Sequence, residues 1–147
     1  MKSVWHTSFE AIGTLWQIDL YYAKDIGHAD ILLLKVRNRI DIFDKHYSRF
    51  RRDSLVFEMS QRAGTYELPE DAYPMLALYE ELYRITNGSM TLLIGQVLAD
   101  AGYDADYSLR PGHLQKPLPW EEVIVYDRQK ITLAKPALLD FGACGKG

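Results

Sequence analysis

Cysteine is almost missing from this chain: its 147 residues include one, Cys144. A single thiol closes no intrachain disulfide, and with only 4 histidines it builds no cysteine-based structural zinc site. Long apolar runs are missing too. Ile31-Leu32-Leu33-Leu34 is far short of the ~20 residues that span a bilayer, so no transmembrane segment is expected. The opening Met1-Lys2-Ser3-Val4-Trp5-His6 has neither an apolar stretch nor a small-residue cleavage site. With Met1 as the native start, a cytoplasmic protein is expected; with a leader removed upstream, an extracytoplasmic one. Basic charge is not in excess, since 17 Lys and Arg face 20 Asp and Glu for a net −3. Such a balance exerts no general pull on DNA or RNA, so no nucleic-acid partner is expected. Internal repeats and low-complexity tracts are likewise lacking.

What is present suits a globular domain. Hydrophobic residues make up 48% and charged residues 25%, a balance that excludes a disordered chain. The length suits one domain, residues 1–147. Residues 4–22 alternate in two β-rich runs about Gly13, which predicts a hairpin. Residues 28–47 change to a helical period, with Leu32, Val36, Ile40, Phe43 and Tyr47 at spacings of four and three. Ser54 reads as the N-cap of a short helix over residues 55–59, with Glu58 near the N3 position of a capping box. A short strand is expected at Thr65-Tyr66-Glu67. Asp71 then caps a helix whose buried stripe reads Met75, Leu78, Leu82 and Ile85, with Asn87-Gly88 as a left-handed stop. Residues 91–101 read as another short helix and residues 103–119 as a long surface loop. Two strands follow, 123–126 and 130–133, and a last strand near residue 138 runs into a glycine-rich turn. Strands, helices and strands again predict an α+β fold, an antiparallel sheet with helices packed on one side.

Three places can carry chemistry. In Asp140-x-Gly142-x-x-Gly145-Lys146-Gly147 the glycines let backbone amides and carbonyls approach a ligand. A lysine there suits a phosphate, and an aspartate suits a ribose hydroxyl, a base edge or a metal. The spacing is not that of a Walker A loop, and the plain alternative is a surface turn with a solvated lysine. Thr86-Asn87-Gly88-Ser89-Met90-Thr91 is a helix stop followed by hydroxyl residues, which ordinary C-cap chemistry also explains. The arginines of Ser48-Arg49-Phe50-Arg51-Arg52-Asp53-Ser54 could meet phosphates, or form a solvated face. Cys144 reads as a small apolar packing residue.

Taken in order, these segments resemble a known family. Ile12-Gly13-Thr14, Ser48-Arg49-Phe50-Arg51-Arg52-Asp53-Ser54-Leu55, Thr86-Asn87-Gly88-Ser89-Met90 and Leu139-Asp140-Phe141-Gly142-Ala143-Cys144-Gly145-Lys146-Gly147 follow the order and rough spacing of the ApbE family. These are the FAD:protein FMN transferases, once described as thiamine-biosynthesis lipoproteins. The closing Asp-Phe-Gly-Ala-x-Gly-Lys-Gly stretch is the most specific. The resemblance spans nearly all of this chain and roughly the N-terminal half of a full family member, so the chain is expected to be the N-terminal part of a larger, T-fold-like FMN transferase domain.

The resemblance implies Mg²⁺-dependent transfer of the FMN part of FAD to a threonine or serine hydroxyl of an acceptor protein, with AMP released. It implies that Ala143 gives its backbone carbonyl to the metal and that Asp140 and Lys146 contact FAD. Ser89, Met90 and Thr91 would line the cofactor, Phe50 would lie against a flat ring, and Ile12 would stand where the family commonly has methionine. Thr91 replaces the family's usual aspartate. The aspartate and threonine that complete the family's metal site lie further along, so this chain by itself is expected to be inactive or nearly so. No residue here reads as the catalytic base. Two readings from other classes stay open: a non-catalytic flavin- or nucleotide-binding module, and an interaction domain that associates with a partner or itself through its 12% aromatic content.

Overall fold

The computed structural model describes residues 4–21 and 25–145. They fall into two compact units, Met1–Asp44 and Lys45–Gly147.

The first unit begins with the expected hairpin. Strands β1 (Val4–Ala11) and β2 (Thr14–Tyr21) pair antiparallel, with Ala11 opposite Thr14. That register leaves a two-residue turn in which Ile12 and Gly13 both take positive φ, 50° and 65°. Positive φ at both central residues is what the right-handed twist of a tight hairpin demands. Helix α1 (Ile26–Tyr47) follows, with its expected stripe turned away from solvent while Lys35, Arg37, Arg39 and Asp41 stay exposed. The Arg37 guanidinium lies over the Phe9 ring of β1, 4.5 Å from its centroid.

The second unit takes the last turn of α1 and everything after it. Ser54 caps α2 (Leu55–Gln61) as expected, its hydroxyl accepting from the Phe57 amide at 3.1 Å. Glu58 lies one position beyond N3 and pairs with Arg62 at 3.2 Å, so the reciprocal half of a capping box is not formed. Strand β3 (Gly64–Glu67) leads to α3 (Ala72–Ile85). Asp71 stands at the N-cap of α3 without a side-chain cap bond; its carboxylate accepts from the Tyr47 hydroxyl at 2.5 Å.

The predicted stripe of α3 is corrected. Ala72, Leu76 and Tyr79 are the buried residues, whereas Leu78 and Ile85 are 45% and 61% exposed. The segment AYPMLALYEELYRI carries two interleaved apolar rows, and the row holding the aromatic Tyr79 faces the core. Asn87 and Gly88 end the helix with φ of 50° and 78°, and the Gly88 amide donates to the Tyr83 carbonyl.

A 3-10 turn (Leu92–Ile94) and helix α4 (Gly95–Asp100) occupy the expected short-helix region. No helix or strand is formed between residues 104 and 119. The one-turn helix α5 (Trp120–Val123) then feeds β4 (Ile124–Tyr126) and β5 (Lys130–Leu133). A three-stranded antiparallel sheet results in the order β3-β5-β4, with Ile131 opposite both Tyr66 and Tyr126. The antiparallel α+β expectation holds, carried by two small sheets.

The expected strand near residue 138 is not formed. Residues 138–141 are extended without ladder bonds, and Gly142–Gly145 make one helical turn, α6. The segment is held instead by single bonds: the Ala137 amide donates to Met59 O and the Asp140 amide to Leu92 O. Leu139 and Phe141 are buried, Phe141 against Tyr47 (centroids 4.8 Å) and Tyr79 (6.0 Å). Among the described residues, no helix is long and apolar enough to cross a membrane.

Candidate functional site

The site in the second unit is assembled around one buried arginine. Arg49 follows α1 in a short irregular stretch and is 8% exposed. Its Nε donates to an Asp140 carboxylate oxygen at 2.7 Å, and a second guanidinium nitrogen donates to the Tyr103 carbonyl. The guanidinium also lies over the Phe50 ring, 4.2 Å from its centroid. A charge this desolvated is held only when paired and hydrogen-bonded, and these contacts meet that requirement.

The expectation of a solvated basic loop therefore splits by residue. Arg49 is corrected to a buried, paired group. Arg51 binds Asp53 in a bidentate pair at 2.9 Å, and Arg52 is exposed and reaches Asp106 at 3.2 Å. The Arg51 guanidinium holds the Asp53 carboxyl below the usual carboxylate range.

Asp140 joins the other segments to Arg49. One oxygen takes the Arg49 bond, the other accepts from the Gly142 amide at 2.7 Å, and the Asp140 amide donates to Leu92 O at 2.9 Å. An ionised carboxylate offers about four lone-pair sites, so Asp140 retains acceptor capacity for a ligand. These bonds link the Arg49-Phe50 segment, the main chain at Leu92 just after the 89–91 bend, and the Asp140–Gly142 segment, which the sequence spreads over nearly a hundred positions.

Each expected residue has a defined place. Phe50 is half-buried and carries the Tyr107 ring stacked on it, centroids 4.8 Å apart and planes 5° apart. Ser89 is exposed just past the α3 stop. Met90 is half-buried, and its amide donates to the Thr86 hydroxyl at 2.9 Å. Thr91 is buried as N-cap of the 3-10 turn, its hydroxyl accepting from the Leu93 amide at 3.1 Å. Threonine is a preferred N-cap residue, and this one is used as a cap. Ala143 is exposed within α6. The last four carbonyls of any helix lack intrahelical partners, and in a four-residue helix that of Ala143 is among them.

Ile12 belongs to the first unit, where it lines a cavity of about 320 Å³ with Phe9, Arg37, Ile40, Asp41 and Asp44. Lys146 lies outside the described residues. No group of three or more His, Cys, Asp or Glu that could hold a metal is formed among the described residues.

Two participants escaped the sequence reading. Gly95 opens α4, and a Cβ there would sit 2.3 Å from the Leu138 carbonyl oxygen, so only glycine lets α4 pass this close to the motif segment. Its signal was a glycine at a helix start where a stronger helix former is usual. Tyr107, on the long loop, gave no signal beyond its aromatic character.

Comparison with known proteins brings three results. The ApbE family model matches residues 12–147. No curated protein matches the chain. Solved structures do. The apo flavinyl transferase ApbE of Pseudomonas stutzeri is similar at a TM-score of 0.75 and 17% identity, over 97% of this chain and 50% of that one. An H257G mutant of the Vibrio cholerae flavin transferase ApbE is similar at 0.80 and 13%, over 98% and 52%. The ApbE protein of Thermotoga maritima is similar at 0.74 and 16%, over 99% and 49%. At these identities the likeness establishes the fold, and the chain spans about half the length of these structures.

Proposed function

This chain belongs to the ApbE family, and on that premise we propose that it carries part of a protein FMN transferase. The reaction moves the FMN portion of FAD to a threonine or serine hydroxyl of an acceptor protein. The hydroxyl oxygen forms a phosphoester bond to the FMN phosphorus, the pyrophosphate bond breaks, and AMP and a proton leave. Flavin transfer in general is supported by the family and by the solved structures named flavin transferases. The chain counts as one portion of a larger transferase domain.

The observation that supports the reading is the linkage of the Arg49-Phe50 segment, Leu92 at the end of the Ser89-Met90-Thr91 bend, and Asp140 through the Arg49–Asp140 pair and the Asp140–Leu92 bond. Phe50 offers a flat platform for a flavin or adenine ring. Ser89, Met90 and Thr91 line the cofactor, and Asp140 keeps acceptor capacity toward a ribose hydroxyl. Ile12 and Lys146 enter on the motif alone.

Mg²⁺, which the family resemblance implies, prefers near-octahedral oxygen coordination. The described residues do not meet that need by themselves: they offer the Ala143 carbonyl and no cluster of acidic ligands. Further oxygens would come from FAD, water and other protein residues.

The test gives FAD, Mg²⁺ and a threonine-bearing acceptor to the larger transferase of which this chain is proposed to be a part, because the chain by itself is expected to be inactive or nearly so. An acceptor mass raised by one FMN supports transfer. FAD binding without any rise points to the non-catalytic module, and the absence of both binding and transfer overturns the reading.

A further inference from the structure

The face that Phe50 offers is already taken. Tyr107 lies on it nearly parallel, 4.8 Å between centroids, which is the offset stacking that a flavin or adenine ring makes on an aromatic platform. Arg49 over the same ring pins the platform from within the protein, so Phe50 keeps a fixed place whatever Tyr107 does.

The segment that bears Tyr107 is fastened to the rest of the unit at its root and, at Leu109, through the Gly102 carbonyl, while residues 106–108 bond mainly within the loop. At the root, the Tyr103 amide donates to Leu98 O and the Tyr103 carbonyl accepts from Arg49. At the tip, the Asp104 carboxylate accepts the Asp106 and Ser108 amides, and Arg52 reaches Asp106 in an exposed pair of the kind that contributes little. Tyr107 is half exposed, and its backbone and that of Leu109 are left-handed, φ 49° and 51°. L residues rarely hold that conformation without compensating contacts: the Tyr107 amide donates to Asp104 O and the Leu109 amide to Gly102 O, and the Phe50 stack adds a ring contact at Tyr107.

We propose that Tyr107 is a built-in occupant of the nucleotide site: its ring covers Phe50 until an aromatic ring of FAD takes its place and the 106–109 tip swings outward. This rests on the reading of Phe50 as a ring platform given above. The covered form lowers apparent FAD affinity by the fraction of molecules that must open first.

The 147-residue chain is titrated with FAD, ADP and FMN separately, by calorimetry, as wild type, Tyr107→Ala and Tyr107→Gly. Glycine accepts the left-handed backbone and so guards against a loop that fails to fold. The stack strength predicts FAD binding roughly three- to tenfold tighter in both variants. The same gain with ADP assigns the displaced face to adenine, and with FMN to the flavin. Binding seen only after Tyr107 is removed also supports the occlusion. Equal affinities overturn it and leave the FAD reading standing. Weaker binding in both variants overturns it as well, because Tyr107 is then a wall of the site. No binding by any natively folded form overturns both readings.

Discussion

At the scale of single residues, the Arg49–Asp140 pair decides how substitutions in the motif are to be interpreted. Sequence marked Asp140 as a ligand contact and Arg49 as one of three loop arginines. Nothing local separates Arg49 from Arg51 and Arg52, because its partner lies 91 residues away. Removing one member of a buried pair leaves the other charge desolvated and alone, which costs about 3–5 kcal/mol. Asp140→Ala should therefore lower the melting temperature by on the order of 10 °C, before any effect on cofactor. Asp140→Asn keeps an acceptor for Arg49 and should lose visibly less. Thermal denaturation of the two variants checks this; equal and negligible losses would show that the pair does not hold the segment. Activity lost in Asp140→Ala alone is thus no evidence of ligand contact.

Among the elements, those set by local patterning were legible: the hairpin about Gly13, the period of α1, the Ser54 cap and the Asn87-Gly88 stop. The failures have a shared cause, which is tertiary choice. In α3 two apolar rows compete, and contact with Phe141 favours the one carrying Tyr79. Residues 138–141 alternate like a strand, yet no neighbouring strand pairs with them, and packing of Leu139 and Phe141 holds them extended. Gly95 follows from that packing. Gly95→Ala should push α4 off the Leu138 carbonyl and destabilise the chain by about 1–3 kcal/mol, as overpacking does. Chemical denaturation would read that loss; a variant as stable as wild type would mean the close approach relaxes without cost.

The long loop carries a pH dependence of its own. The Ser108 hydroxyl and amide, then the Asp106 amide, hold the Asp104 carboxyl below the usual carboxylate range. A lowered folded-state pKa contributes order above the unfolded value and loses it as pH falls through the folded one. Amide exchange at Ser108 should therefore be slow near neutrality and accelerate below the ordinary aspartate range. A flat profile beyond intrinsic exchange would remove Asp104 from the loop's support.

For the whole molecule, the α+β class, the family and the order of its motifs were readable from sequence. Their convergence was not, because the bonds that join residues 49, 92, 103 and 140 are long-range and partly main-chain. The second unit brings three of the four family segments into one neighbourhood, and the hairpin segment with Ile12 lies in the first unit. On the proposal above, those three segments form one nucleotide pocket. The most direct measurement is a titration of the isotopically labelled chain with FAD, followed through its amide resonances. Phe50, Met90, Thr91 and Asp140 are expected to shift together along one binding curve. Shifts that leave these four unmoved while FAD binds elsewhere would contradict it.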